Sequence, residues 1–295
     1  MAVKVEKSNY FSIKKTLIAV WDEFVYGSHL VALGDVIALY VLAVVLNIQV
    51  TISFFIVVYL SILAINFLNR YEDIDQDMTS NPERSKSVNK YFKFTPYIMV
   101  ALTVVPVGIT TYYASISAII FMLFLFGIGI LYSVLLKNVT KQILGFKDIM
   151  TALPYALLVI FMTLYYSASI TFAVVLITVF YFIRMFINTT FFDIKDIKSD
   201  KKEGLKTFPV VFGENKTKLF LIIINLLSIV PILIGIYINV LPLYSIFICL
   251  TVVYALLYLE KSKIFKKQST LYNVIVDGEF IFWLPYLAIG KIILW

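Results

Sequence analysis

The sequence predicts an all-α, polytopic membrane protein with nine transmembrane helices, its N-terminus cytoplasmic and its C-terminus outside. Three observations carry that prediction. Hydrophobic residues make up 61% of the chain against 15% charged, and the mean hydropathy is +0.93. A water-soluble domain of that balance would expose apolar surface well beyond what stays dispersed. Nine apolar runs are each about 20 residues long, the length that spans a hydrocarbon core. Finally, 23 of the 25 Lys and Arg residues lie in the N-terminal segment and in alternate connections, and so on one side of the bilayer. The positive-inside rule makes that side cytoplasmic.

Residues 1–28 precede the spans as an amphipathic N-terminal segment. Over 8–27, Phe11, Ile13, Leu17, Ile18, Val20 and Trp21 are interleaved with Lys14, Lys15, Asp22 and Glu23, a helix suited to the inner leaflet and too polar to cross. The stretch MAVKVEKSNYFSIKK lacks an apolar core, so no cleavable signal peptide is expected. The spans follow at roughly 30–48, 50–68, 96–114, 117–136, 149–167, 169–191, 219–238, 240–259 and 275–294. Connections near 48–50, 114–117, 167–169 and 238–240 are very short and hold no Lys or Arg. Those at 69–95, 137–148, 193–218 and 260–274 are longer and basic. Residues 1–295 therefore read as one membrane-embedded domain, a multi-pass protein of the cell membrane. The single cysteine, Cys249, excludes a disulfide framework, and the single histidine, His29, excludes a His-rich metal centre.

Two acidic motifs sit where spans meet the basic side. In NRYEDIDQDM, Asn69, Asp73 and Asp77 are spaced by four, which stacks them on one helix face. In DIKDIKSDKKEG, Asp193, Asp196 and Asp200 follow i, i+3, i+7, again one face. One such run reads as a solvated helix end; two at the same bilayer face are not explained by solubility. An all-oxygen donor set selects a hard cation, with Mg2+ foremost. Two clusters facing each other would form a Mg2+-mediated clamp for a diphosphate, with nearby Lys and Arg assisting the same charge.

These residues carry a family resemblance. NRYEDIDQDMTSNPERS resembles the first aspartate-rich motif of the UbiA superfamily of intramembrane prenyltransferases, and DIKDIKSDKKEGLKTFPVVFG resembles its second. Tyr132, Ser133 and Lys137 match the Tyr-Ser-x-x-x-Lys segment after the fourth span, and Asn81, Pro82 and Arg84 match the Asn-x-x-Arg element, with Ser85 where proline is commoner. The resemblance implies nine helices around a central cavity, two Mg2+ ions, an isoprenyl diphosphate donor such as geranylgeranyl diphosphate, and a lipophilic acceptor. Asp73, Asp77, Asp196 and Asp200 are then the catalytic acids. Asn69, Asp73, Asp77, Asp193, Asp196 and Asp200 supply the metal ligands, with Asp196 and Asp200 fitting Asp-x-x-x-Asp best and Asp193 auxiliary. Arg84, Tyr132, Lys137, Lys141, Arg184 and Lys201 are the substrate-binding candidates. The second motif looks somewhat like the branch that prenylates a glycerol phosphate to build archaeal-type ether lipids; an aromatic quinone precursor is the other acceptor class. Membrane lipid is a partner and no nucleic acid is expected.

Other charged residues in or near spans read as follows. His29 is an interfacial hydrogen-bonding residue. Asp35 either snorkels or faces the cavity and meets the acceptor, and it is the clear intramembrane acid. Asp277 and Glu279 open the ninth span as N-terminal caps. Arg184 wants a partner, which the acidic cluster or a substrate phosphate would supply. Lys291 snorkels outward. Two other classes compete with prenyl transfer. A CDP-alcohol-type membrane phosphotransferase needs an Asp-Gly step followed by an Ala-Arg, a combination that does not occur here, and a cation transporter needs carboxylates at mid-bilayer in broken helices.

Overall fold

The computed structural model describes the backbone of residues 2–72, 78, 85, 89, 91–261 and 270–294, and their side chains apart from 2–13, 72, 134 and 137. Among these residues every regular element is helical. Eight helices are long and apolar enough to cross a membrane, and a bent pair, Lys14–Tyr26 with His29–Val45 at 58°, supplies a ninth. The pair is the expected amphipathic segment followed by the first span: helix α1 (Ala2–Tyr26) turns sharply into α2 (His29–Val45) at Ser28, which has φ +70°.

The second to sixth spans are single helices: α3 (Ile52–Glu72), α4 (Thr95–Tyr113), α5 (Ile116–Val134), α6 (Phe146–Tyr165) and α7 (Phe172–Phe192). The second motif forms the short helix α8 (Ile197–Glu203), and α9 (Phe208–Phe212) follows. The last three spans are broken. The seventh runs as α10 (Glu214–Leu227) and α11 (Val230–Tyr237), with Pro231 opening the second half. The eighth begins as a 3-10 turn, Leu243–Cys249, before α12 (Leu250–Lys261). The ninth begins as a π turn, Leu271–Val276, passes through a 3-10 turn, Glu279–Phe282, and ends in α13 (Trp283–Leu294). These breaks were not foreseen; only Pro231 announces one, because proline cannot donate to the preceding turn.

Consecutive spans are neighbours, α3 also packs on α5, and the ninth span closes the ring against α2. The short connections turn on Asn47, Ser167 and Asn239, all at positive φ just past a helix end, where a small polar side chain tolerates the left-handed conformation. Ser115 and Thr171 cap the helices that follow, accepting from the amides of Ala118 and Val174. The half of the ring at these turns is filled by side chains, with Phe54 stacked on Phe161 and Phe180 against Trp283. Outside that packing a space of about 550 Å³ opens between the turns themselves, lined by Asn47, Ser169, Thr171 and Pro242 among others; a separate, acid-lined cavity opens towards the basic loops.

Candidate active site

A cavity of about 220 Å³ opens at the loop end of the ring. It draws its wall from α2 (Ser28, Val31), α3 (Asn66, Arg70), α6 (Lys147, Asp148, Thr151, Tyr155), α7 and the second motif (Asn188, Asp193, Asp196), and the ninth span (Asn273, Asp277). The helix that leads into the first motif and the residues of the second thus face one space.

The second motif is held firmly. Asp193 ends α7, and Asp196 starts the turn into α8. Gly204, at φ +75°, ends α8, and the amide of Leu205 returns to the Asp200 carbonyl at 2.9 Å. Two backbone bonds then tie this loop to the one before α6: Lys206 N–H donates to Thr140 O at 2.9 Å, and Gly145 N–H to Lys206 O at 3.2 Å. Gly145 has φ +70°, and a Cβ there would meet the Phe208 ring at 2.5 Å, so glycine is required on two counts. The two loops lock together, and Lys147 at the start of α6 is brought over the acids. Its Nζ lies 2.7 Å from Asp193 Oδ1 and 3.4 Å from Asp200 Oδ2.

Asp148, Asp193 and Asp200 are 1%, 2% and 0% exposed. Burial pushes the Asp193 carboxyl above its ordinary range, with Lys147 opposing, and pushes Asp200 up to about 7, again against Lys147 and with Asp193 adding to the rise. Among the described residues, both Asp148 oxygens, Asp193 Oδ2 and Asp196 Oδ1 are buried with no hydrogen-bond partner. Buried carboxylate oxygens left unbonded are costly unless a cation meets them, so the donor set fits the Mg2+ expected from the sequence. Among the described residues no three such side chains converge on one point, so the ligand set is not prearranged within them. A proton on Asp200 competes with a cation. Apparent Mg2+ affinity is therefore expected to rise from pH 6 to 8 and level off above, as binding releases that proton. Calorimetric titration in two buffers of different ionisation enthalpy checks this.

The expected residues fall into three groups. Asp193 and Asp196 line the cavity, and Asp200 joins them through Lys147. Asn69 stands behind the wall, its Oδ1 accepting from Ser133 Oγ at 2.7 Å, which brings the Tyr-Ser-x-x-x-Lys segment against the first motif. Tyr132 packs on Phe146, beside Lys147. Asp73, Asp77 and Arg84, and the Lys137 side chain, lie outside the described residues. Lys141 and Lys201 are exposed and do not line the cavity. The basic groups that do are Arg70, Lys147 and Lys195, the last lying over the rings of Phe192 and Tyr272 at 5.0 and 5.6 Å.

Four readings of charged residues need correction. Arg184 does not reach the acidic cluster: it is fully buried and donates to Glu279, Asn225 and Ser228. Glu279 is not a surface cap, since it lies two turns into the ninth span and also accepts from Thr251 at 2.6 Å and Tyr258 at 2.9 Å. Asp277 lines the cavity instead of capping a helix. Asp35 is therefore not alone among intramembrane acids. It does not snorkel either: it is fully buried, and Tyr181 Oη donates to its Oδ1 at 2.5 Å. His29 is bonded as expected, its Nδ1 2.6 Å from Tyr59 Oη. The reading from sequence missed Lys147 and Asp148. Their signal was present in GFKDIM, an adjacent charge pair at the threshold of an apolar run, but it resembles an ordinary helix flank.

Comparison with known proteins agrees with this architecture. The structure is similar to an apo UbiA homologue from Aeropyrum pernix K1, at 15% identity over 90% of this chain and 98% of that one, with a TM-score of 0.67. It is similar to a UbiA homologue from Archaeoglobus fulgidus bound to DMAPP and Mg2+, at 15% identity over 92% and 99% of the two chains, TM-score 0.66. A digeranylgeranylglyceryl phosphate synthase matches at 16% identity over 90% and 92%, TM-score 0.54. No curated protein sequence matches the chain. The sequence model of the UbiA prenyltransferase family matches residues 30–276. That match covers most of the chain, and with the all-helical architecture it shows that the chain belongs to the UbiA prenyltransferase family.

Proposed function

We propose that this protein transfers a prenyl group from an isoprenyl diphosphate to a lipophilic acceptor and releases pyrophosphate, with Mg2+ at the two acidic motifs. The observation that carries the reading is the shared cavity: Asn66 and Arg70, on the helix leading into the first motif, face Asp193 and Asp196 of the second. When bound, Mg2+ neutralises the diphosphate charge that grows as the C–O bond breaks. Asn69, Asp73, Asp77, Asp196 and Asp200, with Asp193 auxiliary, would hold two ions. Arg70, Lys147 and Lys195 are placed to bind diphosphate oxygens; Arg84, Tyr132 and Lys137 are proposed to join them on the strength of the family motif. Tyr155 lines this cavity and also an apolar crevice between α3, α5 and α6 that includes Val58, Ile62, Met122 and Phe161. The prenyl tail is assigned to that crevice. A dry wall there protects the allylic cation from water until the acceptor attacks.

The basic loops are proposed to face the cytoplasm, where a water-soluble product such as pyrophosphate would leave. Solved relatives were captured with DMAPP or GPP and Mg2+, and one relative is a digeranylgeranylglyceryl phosphate synthase. These support an isoprenyl diphosphate donor here and favour a glycerol-phosphate lipid as acceptor over an aromatic quinone precursor. Purified protein given geranylgeranyl diphosphate, Mg2+ and a panel of labelled acceptors is expected to release pyrophosphate and yield a prenylated glycerol-phosphate lipid. Absence of pyrophosphate release with every acceptor would overturn the reading. The transporter alternative calls for an open carboxylate in a broken span, and Glu279, the acid in such a position, is bonded to Arg184, Thr251 and Tyr258.

A further inference from the structure

The ammonium of Lys147 occupies the place between two second-motif acids, 2.7 Å from Asp193 Oδ1 and 3.4 Å from Asp200 Oδ2. Beside it, Asp148 lines the same cavity, 1% exposed and with neither carboxylate oxygen hydrogen-bonded among the described residues. Four acids, Asp148, Asp193, Asp196 and Asp200, thus surround one fixed positive charge. Resting on the function proposed above, we infer that Lys147 is a resident cation that a divalent ion displaces. With no divalent ion bound, it bridges Asp193 and Asp200 and limits their repulsion. A divalent ion that takes those oxygens expels the ammonium, and the freed Lys147 swings into the cavity to donate to the diphosphate.

The chemistry favours exchange over coexistence. A Mg2+ ion needs its oxygens at about 2.0–2.1 Å, and an ammonium bridging the same two carboxylates would lie within van der Waals contact of it. Lysine suits such a move: it is a compact charge on a flexible four-carbon stem, with donors that point in any direction. Its backbone does not need to shift, because the Gly145 turn and the bonds joining 140, 145 and 206 fix the start of α6. Asp148 follows Lys147 in sequence and stays beside the vacated bridge, lining the same cavity. The device makes a divalent ion compete for its site when alone and rewards it when diphosphate arrives to receive the ammonium. The two ligands are therefore expected to strengthen each other's binding.

Mn2+ affinity, measured by electron paramagnetic resonance on purified protein with no diphosphate, tests this directly. Lys147→Met is expected to bind Mn2+ about tenfold more tightly than the wild type, because a competitor in direct contact is gone. Lys195→Met removes a charge from the same cavity without vacating the bridge and is expected to gain no more than about twofold. Equal gains in the two variants would show a through-space effect and overturn the exchange. A second measurement uses the wild type alone: acylation of Lys147 by an amine-reactive ester, resolved by mass spectrometry, is expected to speed up on adding Mg2+. An unchanged labelling rate while Mg2+ binds would overturn the inference and leave the proposed function standing. A wild type that binds no divalent ion would overturn both.

Discussion

Asp196→Ala is expected to lower pyrophosphate release by about 10²-fold or more while the protein inserts and purifies normally. On the proposed function, the loss follows from removing a carboxylate that would hold Mg2+ against the departing diphosphate. Asp196 lines the cavity, and one of its oxygens is buried and unbonded, so no structural contact of that atom is lost with it. Asp73→Ala, Asp77→Ala and Asp200→Ala are expected to behave alike. Asp193→Ala is expected to cost less, because it stands outside the Asp-x-x-x-Asp pair formed by Asp196 and Asp200. Mg2+ titrations of turnover, run beside thermal melts, check the ranking. Turnover near the wild-type level in Asp196→Ala would remove that residue from the site.

The second large effect is on stability. Arg184 and Glu279 are both fully buried, and around them Asn225, Ser228, Thr251 and Tyr258 satisfy the remaining polar atoms. Asn225 also donates to Val252 O at 3.0 Å, and Trp283 Nε1 to Thr251 Oγ1 at 3.1 Å. The network fastens α7, the break between α10 and α11, the start of α12 and the ninth span. Removing one charge leaves the other buried and unpaired, which costs about 3–5 kcal/mol. Arg184→Met or Glu279→Leu should therefore lower the melting temperature in detergent substantially. The double variant is expected to recover much of the loss, since two apolar residues leave no orphaned charge. Additive losses in the double variant would mean the two residues do not act as a pair.

The sequence made the membrane architecture legible because lipid imposes a simple rule: an apolar stretch of the right length must close its own hydrogen bonds as a helix. The nine expected runs correspond to the spans found, down to the basic loops at one end and the tight Asn47, Ser167 and Asn239 turns at the other. The second acidic motif was legible for a related reason, because charge at a span end stands out against apolar surroundings. Partnership was not legible. Arg184 and Glu279 are 95 residues apart, and neither has a local pattern that names the other. Asp277 and Glu279 look alike as acids near a helix start, yet one lines the cavity and the other is sealed inside. The π turn at Leu271–Val276 ends just before Asp277 and a 3-10 turn starts at Glu279, and hydropathy cannot show such changes of helical pitch. Lys147 escaped notice because its role depends on the Gly145 turn and on the pairing of two loops about sixty residues apart.

The Arg184 network also constrains how the chain is made. Synthesis delivers α7 to the membrane well before the ninth span exists, so Arg184 enters the bilayer 95 residues ahead of its counter-charge. An arginine at the centre of an isolated helix opposes insertion by about 2.5–3.5 kcal/mol on translocon scales. The apolar remainder of α7 has to outweigh that penalty, and the first shelter to arrive is neutral: Asn225 and Ser228, 41 and 44 residues later, at the break in the seventh span. Nascent chains halted after the sixth span should therefore slip out of the bilayer more readily than those halted after the seventh. The break between α10 and α11 is thereby expected to give the guanidinium a neutral berth until the ninth span supplies Glu279.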